Sequence, residues 1–72
     1  MPILSERLNQ IKLDRNLLQK DIAEAVGVHV RTYQKYEKNE RIPDANTIIK
    51  LCNYFNVSAD YLLGLSDNPE KR

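Results

Sequence analysis

The stretch Gln19-Lys20-Asp21-Ile22-Ala23-Glu24-Ala25-Val26-Gly27-Val28-His29-Val30-Arg31-Thr32-Tyr33-Gln34-Lys35-Tyr36-Glu37 decides the fold. Ile22, Ala23 and Val26 lie at helical spacing on one side of a segment that begins at Gln19 and stops at Gly27, a residue suited to a left-handed turn. A second helix restarts at Val30 and runs to Lys38. It carries Tyr33, Tyr36 and Glu37 on one face and Arg31, Lys35 and Lys38 on the other. A small residue at Ala23 where two axes approach, a glycine four residues later and apolar groups at Val28, Tyr33 and Tyr36 describe two helices crossing through a short turn. This is a helix-turn-helix pattern.

Working outward, Leu4, Leu8 and Ile11 recur at spacings of four and three, so an amphipathic helix is expected from Leu4 to Arg15, with Leu13 flanking its stripe and Asn16 ending it. Downstream, Asn39 to Pro43 reads as a loop. Asp44 is placed to cap a fourth helix running to Phe55, with the apolar set Ile48, Ile49, Leu51, Cys52 and Phe55, and Asn56 closes it. Ser58 caps a short fifth helix, Ala59 to Leu63, that ends at Gly64. The expected fold is all-α, a compact five-helix domain over residues 1–65, followed by a flexible polar tail, 66–72, that contains Pro69 and frays.

Seventy-two residues allow one small core, and 42% apolar with 29% charged residues argues against disorder. The net charge of +1 does not by itself indicate a polyanionic partner. Its distribution is more informative: residues 1–42 carry eight basic and six acidic groups, and residues 43–72 carry three and four. The single cysteine, Cys52, cannot form an internal disulfide and reads as a buried thiol on the fourth helix. No secretory leader or membrane-length apolar run is present, which fits a reducing cytoplasm and no membrane partner. One His and one Cys, 23 residues apart, build neither a zinc site nor a nucleophile–base pair, and no glycine-rich phosphate loop occurs. An enzyme is therefore not expected, nor a cofactor, a metal or a small-molecule ligand.

Four motifs in order carry a resemblance: Gln19-x-x-x-Ala23-x-x-x-Gly27, Glu37 at the end of the third helix, Arg41-x-Pro43 in the loop, and Val57-Ser58-x-Asp60-Tyr61-Leu62-Leu63-Gly64. From Leu4 to Gly64 the chain resembles the phage-repressor and Cro type of helix-turn-helix domain, also called the XRE type. The resemblance implies sequence-specific binding of double-stranded DNA by a transcriptional regulator, as a repressor and as a homodimer on a palindromic operator. The same fold as an antitoxin-like or regulatory protein-interaction module is the alternative. Three positions depart from the family pattern: Leu18 where a Ser or Thr cap is usual, Tyr33 in place of an aliphatic residue, and Asn39 at a common glycine position. Tyr33 is expected at the edge of the core with its hydroxyl in water.

In helix-turn-helix docking the start of the second motif helix enters the major groove. Val30, Arg31, Thr32 and Lys35 are then the base readers: Arg31 suits guanine O6 and N7, Lys35 the same acceptors, and Val30 or Thr32 a thymine methyl. Gln19, whose main-chain and side-chain amides can meet a phosphate, is a backbone clamp by resemblance; His29, Lys38 and Arg41 flank the reader as phosphate contacts. His29 reads first as the cap of the third helix, and Gln34 and Lys20 read as solvent-exposed. Ala23 and Gly27 shape the crossing. By resemblance Lys12 bridges to Glu37 and braces the reading helix. Tyr61, Leu62, Leu63 and Leu65 offer more apolar surface than the short fifth helix buries, making them dimer-interface candidates.

Overall fold

The computed structural model describes residues 2–70, the side chain of Pro2 excepted. Five helices follow one another: α1 (Pro2–Asp14), α2 (Gln19–Val26), α3 (Val30–Glu37), α4 (Ala45–Phe55) and α5 (Ala59–Leu62). No strand occurs among the described residues, and no helix is long and apolar enough to cross a membrane.

One local device ends every helix. Asn16, Gly27, Asn39, Asn56 and Gly64 all adopt positive φ, between 54° and 83°. After each, the next amide reaches back to a carbonyl five residues earlier: Leu17 to Lys12, Val28 to Ala23, Glu40 to Lys35, Val57 to Cys52 and Leu65 to Asp60, at 2.7–3.0 Å. The left-handed residue reverses the chain so that orphan carbonyls of the last turn find donors, and only Gly or Asn takes that conformation cheaply. The helix starts are less uniform. Asp44 accepts from the Thr47 amide at 2.8 Å and Ser58 from the Tyr61 amide at 3.0 Å. His29 accepts from the Arg31 amide through Nδ1 at 3.2 Å, whereas Leu18 supplies no side-chain cap to α2. The side-chain and main-chain hydrogen bonds from Thr47 hold the Asp44 carboxyl below its ordinary range.

α1 packs on α3 and α5, α2 on α3 and α4, and α4 on α5. The shared core is built by Leu4, Leu8 and Ile11 of α1; Ile22, Ala23 and Val26 of α2; Tyr33 and Tyr36 of α3; Leu51, Cys52 and Phe55 of α4; and Val57 and Leu62 beyond it. The helical period explains who is excluded. On α4, Ile48, Leu51, Cys52 and Phe55 share the inner side with a buried Thr47, while Ile49 falls outside the stripe and is 57% exposed. Leu13 on α1 is exposed for the same reason.

Two expectations change. Tyr33 is not at the edge: its ring is fully buried, set edge-on to Tyr36 with centroids 6.4 Å apart, and its hydroxyl has no hydrogen-bond partner. Position 33 sits at the centre of the α3 face that meets α1 and α2, so a long side chain there drives its hydroxyl inward. Burial, and then the adjacent Glu37 carboxylate, push that hydroxyl's pKa far up. Leu62 is also fully buried, which removes it from any interface; it completes the core that α5 shares with α1 and α4. Residues 67–70 are exposed, and single contacts join them to the helices. Asp67 pairs with Arg7 at 3.0 Å, and the Pro69 and Asn68 carbonyls accept from the Ser58 amide and hydroxyl. Arg7 also lies 4.0 Å above the Tyr61 ring, so α1, α5 and the tail meet at one guanidinium. Residues 71–72 of the expected tail lie outside the described residues.

Ala23 is buried where α2 meets α3, so Ala23→Leu should overpack that contact and cost about 1–3 kcal/mol of stability in thermal or urea unfolding. An unchanged midpoint would place the close approach elsewhere.

Candidate nucleic-acid interface

Glu37 ends α3 with its side chain turned inward and 5% exposed. A buried carboxylate is costly unless donors surround it. Lys12 Nζ of α1 lies 2.8 Å from Oε1, and Gln19 Nε2 of α2 donates to the same oxygen at 2.9 Å. The Glu37 main-chain carbonyl accepts from Asn9 Nδ2 at 3.0 Å, an amide that also bonds the Ser5 carbonyl of its own helix. The other oxygen, Oε2, is buried without a hydrogen-bond partner, as is the Tyr33 hydroxyl beside it. One residue of α3 is thus held by two helices, through side chain and main chain together.

Gln19 then carries the network outward, because its Oε1 accepts from Gln34 Nε2 at 3.0 Å. Gln34 is half-buried rather than simply solvent-exposed. The Gln19 side chain, expected to meet a phosphate, is therefore committed to two internal bonds and keeps one amide hydrogen, while its main-chain N–H stands at the start of a helix without a side-chain cap. Sequence reading missed Asn9 and Gln34. Neither has a local signal, since amide residues on helix surfaces are ordinarily solvated.

The opposite face of α3 presents Arg31, Lys35 and Lys38, all exposed, with Val30, Thr32 and Gln34 half-buried along its flanks. His29 precedes this face and Arg41 follows it, both exposed. Arg31, Lys35, Lys38 and Arg41 form no ion pair with any described residue; the cations that do are Arg7 and Lys12, which serve the fold. Lys20 is exposed beside the start of α2. The structure therefore places Val30, Arg31, Thr32 and Lys35 on or beside one outward surface. It sets Gln19 on the α2 side of that surface. Ala23 is buried in the core, Gly27 is exposed in the turn between α2 and α3, and Lys12 with Glu37 lies on the inner side of α3.

At the far end of the chain, Leu65 is 77% exposed, Leu63 is half-buried and Ile3 packs against Gly64 with part of its surface open. Tyr61 is half-buried under Arg7.

The helix-turn-helix family HTH_3 matches residues 8–62, which takes in α1 through α5 apart from residues 2–7 of α1. The chain belongs to this family. It is of the XRE type named by its sequence motifs, with relatives among phage and prophage regulators. It is 37% identical over 68 residues to the HTH-type transcriptional regulator ImmR of Bacillus subtilis, covering 94% of this chain and 54% of ImmR. It is 29% identical over 65 residues to the cryptic phage CTXphi transcriptional repressor RstR of Vibrio cholerae, covering 90% of this chain and 59% of RstR. A crystal structure of a transcriptional regulator from Listeria innocua superposes with a TM-score of 0.81 at 36% identity, over 85% of this chain and 57% of that one. The chain spans little more than half the length of these relatives.

The Lys12–Glu37 pair differs from a solvated surface pair because Glu37 is sealed and Lys12 keeps only 19% exposure. Lys12→Met should destabilise the domain by about 3 kcal/mol, since the carboxylate would stay buried without its counter-charge. Urea unfolding measures this; a loss of only about 0–1 kcal/mol, the worth of an exposed pair, would show that the carboxylate escapes to water in the variant.

Proposed function

We propose that this helix-turn-helix domain binds double-stranded DNA as the operator-recognition module of a transcriptional regulator that acts as a repressor. The observation that carries this reading is the outward face of α3 and its end, where Arg31, Lys35 and Lys38 stand exposed and, with Arg41 in the loop beyond, form no ion pair with any described residue. A helix braced from behind by Lys12, Asn9 and Gln19 keeps its shape while its exposed side docks. Family membership, and similarity to the transcriptional regulator ImmR and the transcriptional repressor RstR, support the same reading.

In this reading α3 enters the major groove. Arg31 bonds guanine, Lys35 donates to neighbouring acceptors, and Val30 and the Thr32 methyl meet thymine. The Gln19 main-chain amide receives a phosphate at the positive end of α2, while His29, through its Nε2, together with Lys38 and Arg41 holds the backbone on the other side. The missing cap at Leu18 suits this use, because it leaves the first amides of α2 open to an external acceptor. Two copies of the chain pair through the apolar end formed by Leu65, Leu63 and Ile3, with Tyr61 at its margin, and set two reading heads about one DNA turn, roughly 34 Å, apart on a palindrome.

Arg31→Ala should lose about 1–3 kcal/mol on the best site and relax preference at one symmetric base position, whereas Arg41→Ala should weaken all sequences alike and lower the salt slope by about one unit. Selection from random duplexes followed by binding titrations at several salt concentrations reads both. Equal weakening of all sites by Arg31→Ala would make Arg31 a phosphate contact. Leu65→Asp should convert a complex of two chains per duplex into one chain per duplex in sedimentation; two chains retained would move the interface elsewhere.

A further inference from the structure

We propose that Gln34 reads an adenine in the major groove, with its amide locked in one orientation by a hydrogen-bond relay that starts at the buried Glu37 carboxylate. This rests on the DNA-binding reading and adds to it a base reader and a positioning residue, Gln19.

The relay fixes direction by donor–acceptor logic alone. A carboxylate only accepts, so the group that Gln19 turns toward Glu37 must be its NH₂. The Gln19 oxygen is then forced to the other side, where it only accepts, so Gln34 must offer its own NH₂ in turn. We assign to Gln19 the Gln34 hydrogen anti to the amide oxygen, which leaves the carbonyl oxygen and the N–H syn to it side by side in one plane. The assignment does not depend on telling oxygen from nitrogen in an amide, because the charge at the inner end dictates each step. Lys12, on the same Glu37 oxygen, holds that end in place.

A coplanar acceptor and donor on a glutamine match adenine: N6–H₂ donates to the oxygen, and N7 accepts from the N–H. Gln34 stands one turn after Val30 and one turn before Lys38, next to Arg31 on the outward helix surface, so it lies among the other readers. An unheld glutamine would present either of its two amide orientations and would lose side-chain entropy on docking; the relay removes both costs beforehand.

The test begins with duplexes enriched from a random library by the full chain. Within the enriched sequence, replacing one adenine on each half-site with 7-deazaadenine, which lacks the N7 acceptor, should weaken binding about ten-fold. Gln34→Met, which keeps length and apolar bulk, should bind the two duplexes equally. Gln19→Met keeps its main-chain amide and leaves Gln34 present but unheld; it should lose preference at that same adenine while preference at the Arg31 position stays. Far-ultraviolet circular dichroism confirms that each variant is folded, and Gln34→Glu provides a second replacement that should move preference at that position from adenine toward cytosine. If an enriched sequence emerges but Gln34→Met and Gln34→Glu keep wild-type preference at every base, Gln34 is not a reader and the inference falls. If Gln19→Met leaves the adenine preference untouched, the relay does not orient Gln34 and that part falls. Absence of any enriched sequence would instead overturn the DNA-binding reading itself.

Discussion

The burial of the Glu37 carboxylate is the constraint on which the rest of the domain depends. A charge at 5% exposure in a chain of this size forces donors to converge on it, and they come from two helices, Lys12 of α1 and Gln19 of α2, while Asn9 of α1 donates to the main-chain carbonyl of the same residue. Because Glu37 belongs to α3, each of those bonds also sets where α3 lies relative to its neighbours. Apolar packing around Tyr33 and Tyr36 supplies most of the free energy of that contact but little direction, since hydrophobic burial is non-directional. The ionic and amide bonds choose one arrangement among those that would bury the same rings. The Tyr33 hydroxyl is buried next to this carboxylate, and that neighbourhood penalises loss of its proton.

This division of labour explains how so small a core supports a stiff outer surface. α2 and α3 are eight residues each, too short to persist as isolated helices, and hold their form through tertiary contact. The repeated left-handed stop keeps each helix from running on, so that short rods can be stacked closely with connections of only a few residues. The electrostatics follow the same plan. A chain with a net charge of +1 presents three exposed cations, Arg31, Lys35 and Lys38, along one helix face and its end, while Arg7 and Lys12 are taken up in the ion pairs with Asp67 and Glu37. Local distribution, not the total, is what a polyanion would meet.

What the sequence determined by itself is whatever short-range backbone chemistry controls. The ends of the helices at Asn16, Gly27, Asn39, Asn56 and Gly64 were legible because left-handed φ is a property of one residue and its immediate neighbours, and the caps at Asp44, Ser58 and His29 for the same reason. The order of the motifs was enough to name the family. Tertiary structure alone decided the depth of burial and the partners that follow from it. Leu62 and Leu65 look equivalent in sequence, yet one is enclosed and the other open, because the end of α5 rests on α1 and α4 and the chain turns away at Gly64. Asn9 and Gln34 likewise took their roles from groups 28 and 15 residues distant in the chain, and Tyr33 its burial from the packing of α3 on α1 and α2, through contacts that exist only once the helices are assembled. A hydrogen bond or a desolvated carboxylate depends on which atoms come within about 3 Å, and no pattern of neighbours along the chain encodes that distance.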